Sequence, residues 1–331
     1  MNEFAVYSTI AFMLFLTGKL YLNYARKKNI VDTPNERSSH REPTIRGGGI
    51  IIFLAVLGWG LWEMVWNGTD IHFVSFITGF MLLGALGFFD DKFGISPQRR
   101  FPFQLVSVLL ILYASGLWEA DFHPIVKITA VIVSLGFVNA YNFMDGINGI
   151  TGFYSLVLTL SFWYLNELFH LLPDQLFPLL LVSVSVFGYF NFRPKALMFA
   201  GDVGSMALAA VLLYISARFM IELKTPVLLL MLAVYGTDSA MTIIFRLLKK
   251  QNVFQAHRWH WYQKLVDRFQ WPHLRVAMLY AGLQGLINGY ILYFRLWEKE
   301  TYIQFLWTGA VLLIFVTLYL ILQKEKLFEK Y

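Results

Sequence analysis

The feature that most constrains this chain is the way its apolar residues are parcelled out. They fall into many segments of about 17–22 residues, the length at which a helix crosses a bilayer. A soluble domain carries roughly 45–50% apolar and about 25% charged residues. Here 57% of the 331 residues are hydrophobic, 15% are charged, and the mean hydropathy is +0.56. Backbone polar groups cannot stay unpaired in hydrocarbon, so the spans should be helices. The expected fold is an all-α polytopic membrane protein of about 11 transmembrane helices, near residues 4–22, 47–66, 72–89, 104–118, 124–141, 150–166, 176–190, 204–221, 225–245, 274–294 and 301–322. The first run lacks a basic flank and a small-residue cleavage site, which reads as a retained span rather than a removed signal. The chain forms one integral-membrane domain over 1–331, with no soluble domain and no strong internal repeat.

Loop composition sets the sidedness. The loops near 23–46, 90–103, 142–149, 191–203 and 246–273 follow odd-numbered spans, and all but the short third are basic. Those after even-numbered spans, such as "NGTDIH", are short and nearly free of Lys and Arg. The positive-inside rule places the first class in the cytoplasm, the N-terminus outside and the C-terminus inside. The net charge of +6 therefore reads as a topology signal and not as a nucleic-acid footprint. With no cysteine in the chain, disulfide frameworks and thiolate metal sites are excluded.

Every polar cluster then falls on one face. "GFFDDKFGISPQRR" places Asp90 and Asp91 at a membrane edge, where adjacent carboxylates are costly unless a cation or a metal-held phosphate is near. Arg99 and Arg100 read equally as phosphate ligands or as topology signals. In "MFAGDVGSMALA", Asp202 sits between glycines at a helix start, which suits Mg²⁺ beside phosphate or a plain N-cap. The "VNAYNFMDGINGITG" stretch offers Asn142, Asp145 and Asn148. "AHRWHWYQKL" offers His257, Arg258 and His260, a set for polyphosphate with no third ligand for zinc. Arg46 leads into three glycines, and Asp238 is the one acid placed well inside a span, where an ionisable group marks function by default. Together, carboxylates, cations and glycines on one face suggest metal-assisted chemistry on a phosphorylated substrate.

The set "DTPNERSSHREPTIRGGG", "GFFDDKFG", "NAYNFMDGINGITG", "NFRPKALMFAGDVGS" and "HRWHWYQKL", in this order, resembles the polyprenyl-phosphate N-acetylhexosamine-1-phosphate transferases over nearly the whole chain. The first and last of these look most like the subgroup that initiates O-antigen or capsule synthesis. The resemblance implies transfer of a sugar-1-phosphate from a UDP-N-acetylhexosamine to undecaprenyl phosphate, with release of UMP and need of Mg²⁺ or Mn²⁺. It implies Asp202 as metal ligand, Asp90, Asp91 and His257 as catalytic, and Arg46, Asn142, Asp145, Asn148, Asn191, Phe199, Arg258 and His260 as substrate-binding. The implied location is the bacterial inner membrane, with the site facing the cytoplasm and lipid as solvent and partner; a homodimer stays open. The muramoyl-pentapeptide branch usually shows three consecutive His where this chain has His257, Arg258, Trp259 and His260, which argues against that substrate. Many relatives carry a second Asp where this chain has Asn148, which moves the metal to Asp202 and away from Asp145. A transporter is the rival from another class; its ionisable groups should gather at the bilayer midplane on repeated broken helices.

Overall fold

The computed structural model describes residues 2–34, 42–68, 70–251 and 258–324. Twelve α-helices run through the described residues: α1 (Glu3–Lys27), α2 (Ile50–Trp66), α3 (Ile71–Phe93), α4 (Pro97–Ala114), α5 (Pro124–Met144), α6 (Ile150–Phe169), α7 (Leu176–Asn191), α8 (Gly201–Glu222), α9 (Ala233–Leu248), α10 (Trp261–Asp267), α11 (His273–Tyr293) and α12 (Thr301–Lys324). Each of the eleven expected segments holds a helix, and α10 is an extra short one inside the 246–273 loop. Among the described residues, six helical segments are long and apolar enough to cross a membrane, and three shorter apolar helices, near 50–66, 176–191 and 301–317, accompany them. The architecture is that of an all-α membrane protein. Its only sheet among the described residues is a two-residue ribbon, β1 (Val31–Asp32) antiparallel to β2 (Thr44–Ile45), with Ile45 also bridging to Met198.

The core is built around α8. Nearly every residue from Val203 to Ala217 is buried, as expected of a helix apolar all round. Small residues let neighbours approach it closely. A Cβ on Gly49 would stand 2.1 Å from the Gly204 Cα, and one on Gly87 would stand 2.4 Å from the Asp202 carbonyl oxygen. Backbone thus lies on backbone where α2 and α3 meet the start of α8. That fixes the segments carrying Arg46, Asp91 and Asp202 relative to one another.

The expected ninth span, 225–245, is not one regular helix. A 3-10 turn at Pro226–Leu232 precedes α9. The break leaves backbone groups without helical partners in an apolar region, and Gln284 of α11 supplies them. Its Nε2 donates to the Leu230 carbonyl (2.9 Å), and its Oε1 accepts from Val234 N–H (3.0 Å) and from Tyr154 Oη (2.7 Å). Broken helices survive in a bilayer only when a neighbour satisfies the freed groups in this way.

Candidate functional site

Five segments far apart in sequence meet at one end of the bundle: the turn before α2, the α3–α4 turn, the α5–α6 turn, the α7–α8 turn and the stretch leading into α10. They are the five loops that the sequence places on a common face. Asp91, at the end of α3, accepts hydrogen bonds from the backbone N–H groups of Asp202 (3.0 Å) and Val203 (3.1 Å). It therefore caps the first turn of α8, whose N–H groups have no intrahelical partner. Gly201, at φ +70°, makes that turn, and a Cβ there would stand 2.5 Å from the Asp91 carboxylate. Asp90 does the same for its own turn: its Oδ1 accepts from Ile95 N–H at 2.6 Å.

Two guanidiniums hold these acids. Arg46 Nε lies 2.7 Å from Asp91 Oδ1, and its Nη2 lies 3.5 Å from Asp202 Oδ1. Arg100 Nη1 pairs with Asp90 Oδ2 and lies 3.3 Å from Asp202 Oδ2. Asn142 Nδ2 donates to Asp202 Oδ1 (3.0 Å) and to Ser205 Oγ (3.0 Å). Burial disfavours the Arg46 charge, yet Asp91 and Asp202 outweigh it and hold its pKa above the usual value. Exposure separates the acids. The Asp91 side chain is 1% exposed and that of Asp90 7%, whereas that of Asp202 is 18% exposed. Asp202 is thus the most accessible of the three, with Arg46 (29%) and Arg100 (16%) beside it.

Asp145 follows the end of α5 and is partly buried within reach of the Asp91 and Arg46 charges. Burial first, then the Asp91 charge, pushes its carboxyl up to about 7. Asp90, Asp91 and Asp202 face two guanidiniums, with Asp145 beside them, and an acid-rich cluster of this kind suits a cation. No group of three His, Cys, Asp or Glu among the described residues forms a closed metal site. Mg²⁺ does not need one, since it commonly takes one or two carboxylates and completes its shell with water and substrate phosphates.

The remaining expected residues are placed differently. The Asn148 and Asn191 amides are taken up by backbone. Asn148 Nδ2 donates to the Arg193 (2.8 Å) and Pro194 (3.0 Å) carbonyls, Asn191 Oδ1 accepts from Gly149 N–H (2.7 Å), and its Nδ2 donates to Met198 C=O (3.0 Å). Expected to hold substrate, they tie the α5–α6 turn to the α7–α8 turn. Phe199 is partly exposed; its backbone bonds Ile45 and Gly48 and so docks the α7–α8 turn on the strand before α2. Arg258 pairs with Asp267 at 2.6 Å. His260 is 3% exposed, with Nδ1 3.4 Å from Asp238 Oδ1. Neither lies in the carboxylate cluster. His257 lies outside the described residues. The 258–262 stretch still borders the site: Tyr262 Oη donates to the Phe143 carbonyl at 3.0 Å.

The sequence read Arg100 equally as a phosphate ligand or a topology signal, and the structure places it beside Asp90 and Asp202, the acid pair about ten positions before it being its marker. One contributor escaped that reading. Tyr262 has no such marker, being one aromatic among many.

A family model described as glycosyl transferase family 4 matches residues 73–220, a range that holds every carboxylate of the cluster. A probable undecaprenyl-phosphate N-acetylglucosaminyl 1-phosphate transferase of Bacillus subtilis is 26% identical, over 87% of this chain and 84% of its own. An undecaprenyl-phosphate alpha-N-acetylglucosaminyl 1-phosphate transferase of Thermotoga maritima is 26% identical over 83% and 86%. A phospho-N-acetylmuramoyl-pentapeptide-transferase of Dictyoglomus thermophilum is 28% identical over 81% and 94%.

Proposed function

We propose that this chain, which belongs to the polyprenyl-phosphate N-acetylhexosamine-1-phosphate transferase superfamily, transfers N-acetylhexosamine-1-phosphate from a UDP-sugar to undecaprenyl phosphate. UMP leaves, and the lipid-diphospho-sugar starts a cell-envelope polysaccharide such as O-antigen or capsule. The site lies at the cytoplasmic face of the bacterial inner membrane. One observation carries the reading: the partly exposed Asp202 is gathered with Arg46, Arg100 and Asn142 at one end of a many-helix bundle.

Two anions must meet in this reaction. An oxygen of the acceptor phosphate bonds to the sugar-bearing phosphorus, and the bond from that phosphorus to the UMP oxygen breaks. Arg46 and Arg100 offset the approaching charge, as guanidiniums do for phosphate. Asn142 fixes the Asp202 carboxylate, and Asp91 fixes the backbone that carries it. Mg²⁺ or Mn²⁺, held by Asp202 with substrate phosphate oxygens, would supply further neutralisation of the transferring group. The acceptor phosphate is already ionised near pH 7, so Asp90 and Asp91 act as positioning residues rather than as bases. The acceptor head group sits at the membrane surface and its tail in hydrocarbon, so the site must open sideways to lipid.

The test is a panel of UDP-N-acetylhexosamines, plus UDP-N-acetylmuramoyl-pentapeptide, given to purified protein with undecaprenyl phosphate and Mg²⁺. Lipid product and UMP with one or more simple UDP-N-acetylhexosamines are expected. Turnover with the pentapeptide donor alone would move the chain to the peptidoglycan branch, and no turnover with any donor would overturn the reading.

A further inference from the structure

A cavity of about 320 Å³ lies among α9, α10, α11 and α12, away from the carboxylate cluster. Leu265, Phe269, Trp271, Leu279, Leu283 and Phe315 make much of its wall, which is almost wholly apolar. Phe269, Leu279 and Leu283 are each more than a third exposed. The last two stand one turn apart on α11, a helix long and apolar enough to span the membrane, so the cavity opens to the side, toward hydrocarbon.

Its rim is cationic. Arg268 adjoins Phe269 and is exposed, and the exposed Arg275 places its guanidinium 5.3 Å from the centre of the Trp271 ring. The Lys249 and Lys264 ammonium nitrogens lie 4.7 and 5.4 Å from the centre of the Trp259 ring. Asp267 pairs with Arg258, and Asp238, which with Lys264 also lines the cavity, accepts from Tyr280 and Trp261. An apolar slot open to the bilayer, under an excess of positive charge at the interface, complements one kind of molecule, an anionic lipid. We propose that the cavity holds an acyl chain of an anionic membrane phospholipid, whose headgroup rests on Arg268 and Arg275.

The acceptor lipid is a poorer occupant. Its phosphate must reach Arg46, Arg100 and Asp202, on segments next to α2, α3, α4 and α8, whereas the slot is walled by the last four helices. The slot still touches the site through one element. Trp261 of α10 lines it, and the neighbouring Tyr262 bonds Phe143 beside Asp145. A chain in the slot props α10 against the α5–α6 turn, which makes the phospholipid a structural partner of the active face.

Native mass spectrometry of the full-length protein, titrated with phosphatidylglycerol or phosphatidylcholine in mild detergent, tests this. Phosphatidylglycerol should bind more tightly, and the advantage should fall about fivefold for each guanidinium removed in Arg268→Gln and Arg275→Gln, the weight of one basic group against an anionic surface. Leu283→Trp should lower occupancy by both lipids. The two arginines are surface residues, so their variants test the proposal even if Leu283→Trp fails to fold. Equal binding of both lipids, or a preference untouched in the double arginine variant, would overturn it. So would displacement of phosphatidylglycerol by an equal amount of undecaprenyl phosphate, which would assign the slot to the acceptor.

Discussion

Asp202 and Asp238 are both acids in apolar helices, and both face several partners, but their surroundings differ in kind. Asp238 is 6% exposed. It accepts from Tyr280 Oη at 2.7 Å and from Trp261 N–H at 3.1 and 3.2 Å, and it lies 3.4 Å from both Thr242 Oγ1 and His260 Nδ1. Donors from α9, α10 and α11 saturate it, and the result is a pin joining three helices. Asp202 stands instead among other carboxylates, held by arginines it must share and still partly open. An ionisable group inside a membrane marks function by default. The pair sharpens that expectation: Asp238 is saturated as a structural pin would be, whereas Asp202, left with rivals and access, is the acid on which the proposed reaction rests.

The comparison can be broken in order of effect. Asp202→Asn should cut kcat by about 10³ or more while the folded state persists, the scale of losing a group that stabilises developing charge. Retained Mg²⁺-dependent turnover with UMP release would remove Asp202 from the reaction. Asp238→Ala should instead lower the melting temperature, by the equivalent of about 3 kcal/mol, because buried donors lose a charged partner. A fall in kcat at unchanged stability would make Asp238 a chemical group after all. Tyr280→Phe removes one bond to that carboxylate and should cost about 1.5–3 kcal/mol, read by the same thermal unfolding.

A smaller effect belongs to Asp145. Its folded pKa of about 7 lies above the ordinary aspartate value of 3.8, so the folded state binds the proton more tightly than the unfolded one. Stability contributed by the protonated form is then fully present below about 4 and is lost as pH rises through 7. In metal-free buffer Asp145→Asn should flatten that slope in melting temperature between pH 5 and 8; an unchanged slope would assign it to another group. At the bottom of the scale, Lys195→Ala breaks the exposed pair with Glu42 and should leave the melting temperature where it was.

Much of this could be read from the residues. Apolar segment lengths foretold a helix at each of eleven places, because a bilayer admits little else. Asp90, Asp91, Asn142 and Asp202 stood out because acids and amides at the ends of apolar runs are costly. The break at Pro226–Leu232 was hidden, since an apolar stretch does not announce which backbone bonds it forgoes; the partner that permits it, Gln284, lies more than fifty positions on. The backbone bonds of the Asn148 and Asn191 amides were hidden for a related reason. A buried amide that ties two turns and one that faces a ligand have the same composition, and only the fold shows which backbone groups lie beside it.

The capping of α8 by Asp91 bears on how the enzyme comes into being. Its partners, the N–H groups of Asp202 and Val203, emerge more than one hundred residues after it. Chains are made from the N-terminus onward, so Asp90 and Asp91 enter the membrane edge long before that helix exists. Arg46 precedes them and Arg100 follows within ten positions, so the early acids have countercharges on either side from the start. The cluster closes only when the central helix arrives, so on the proposed reading activity waits until most of the spans are in place.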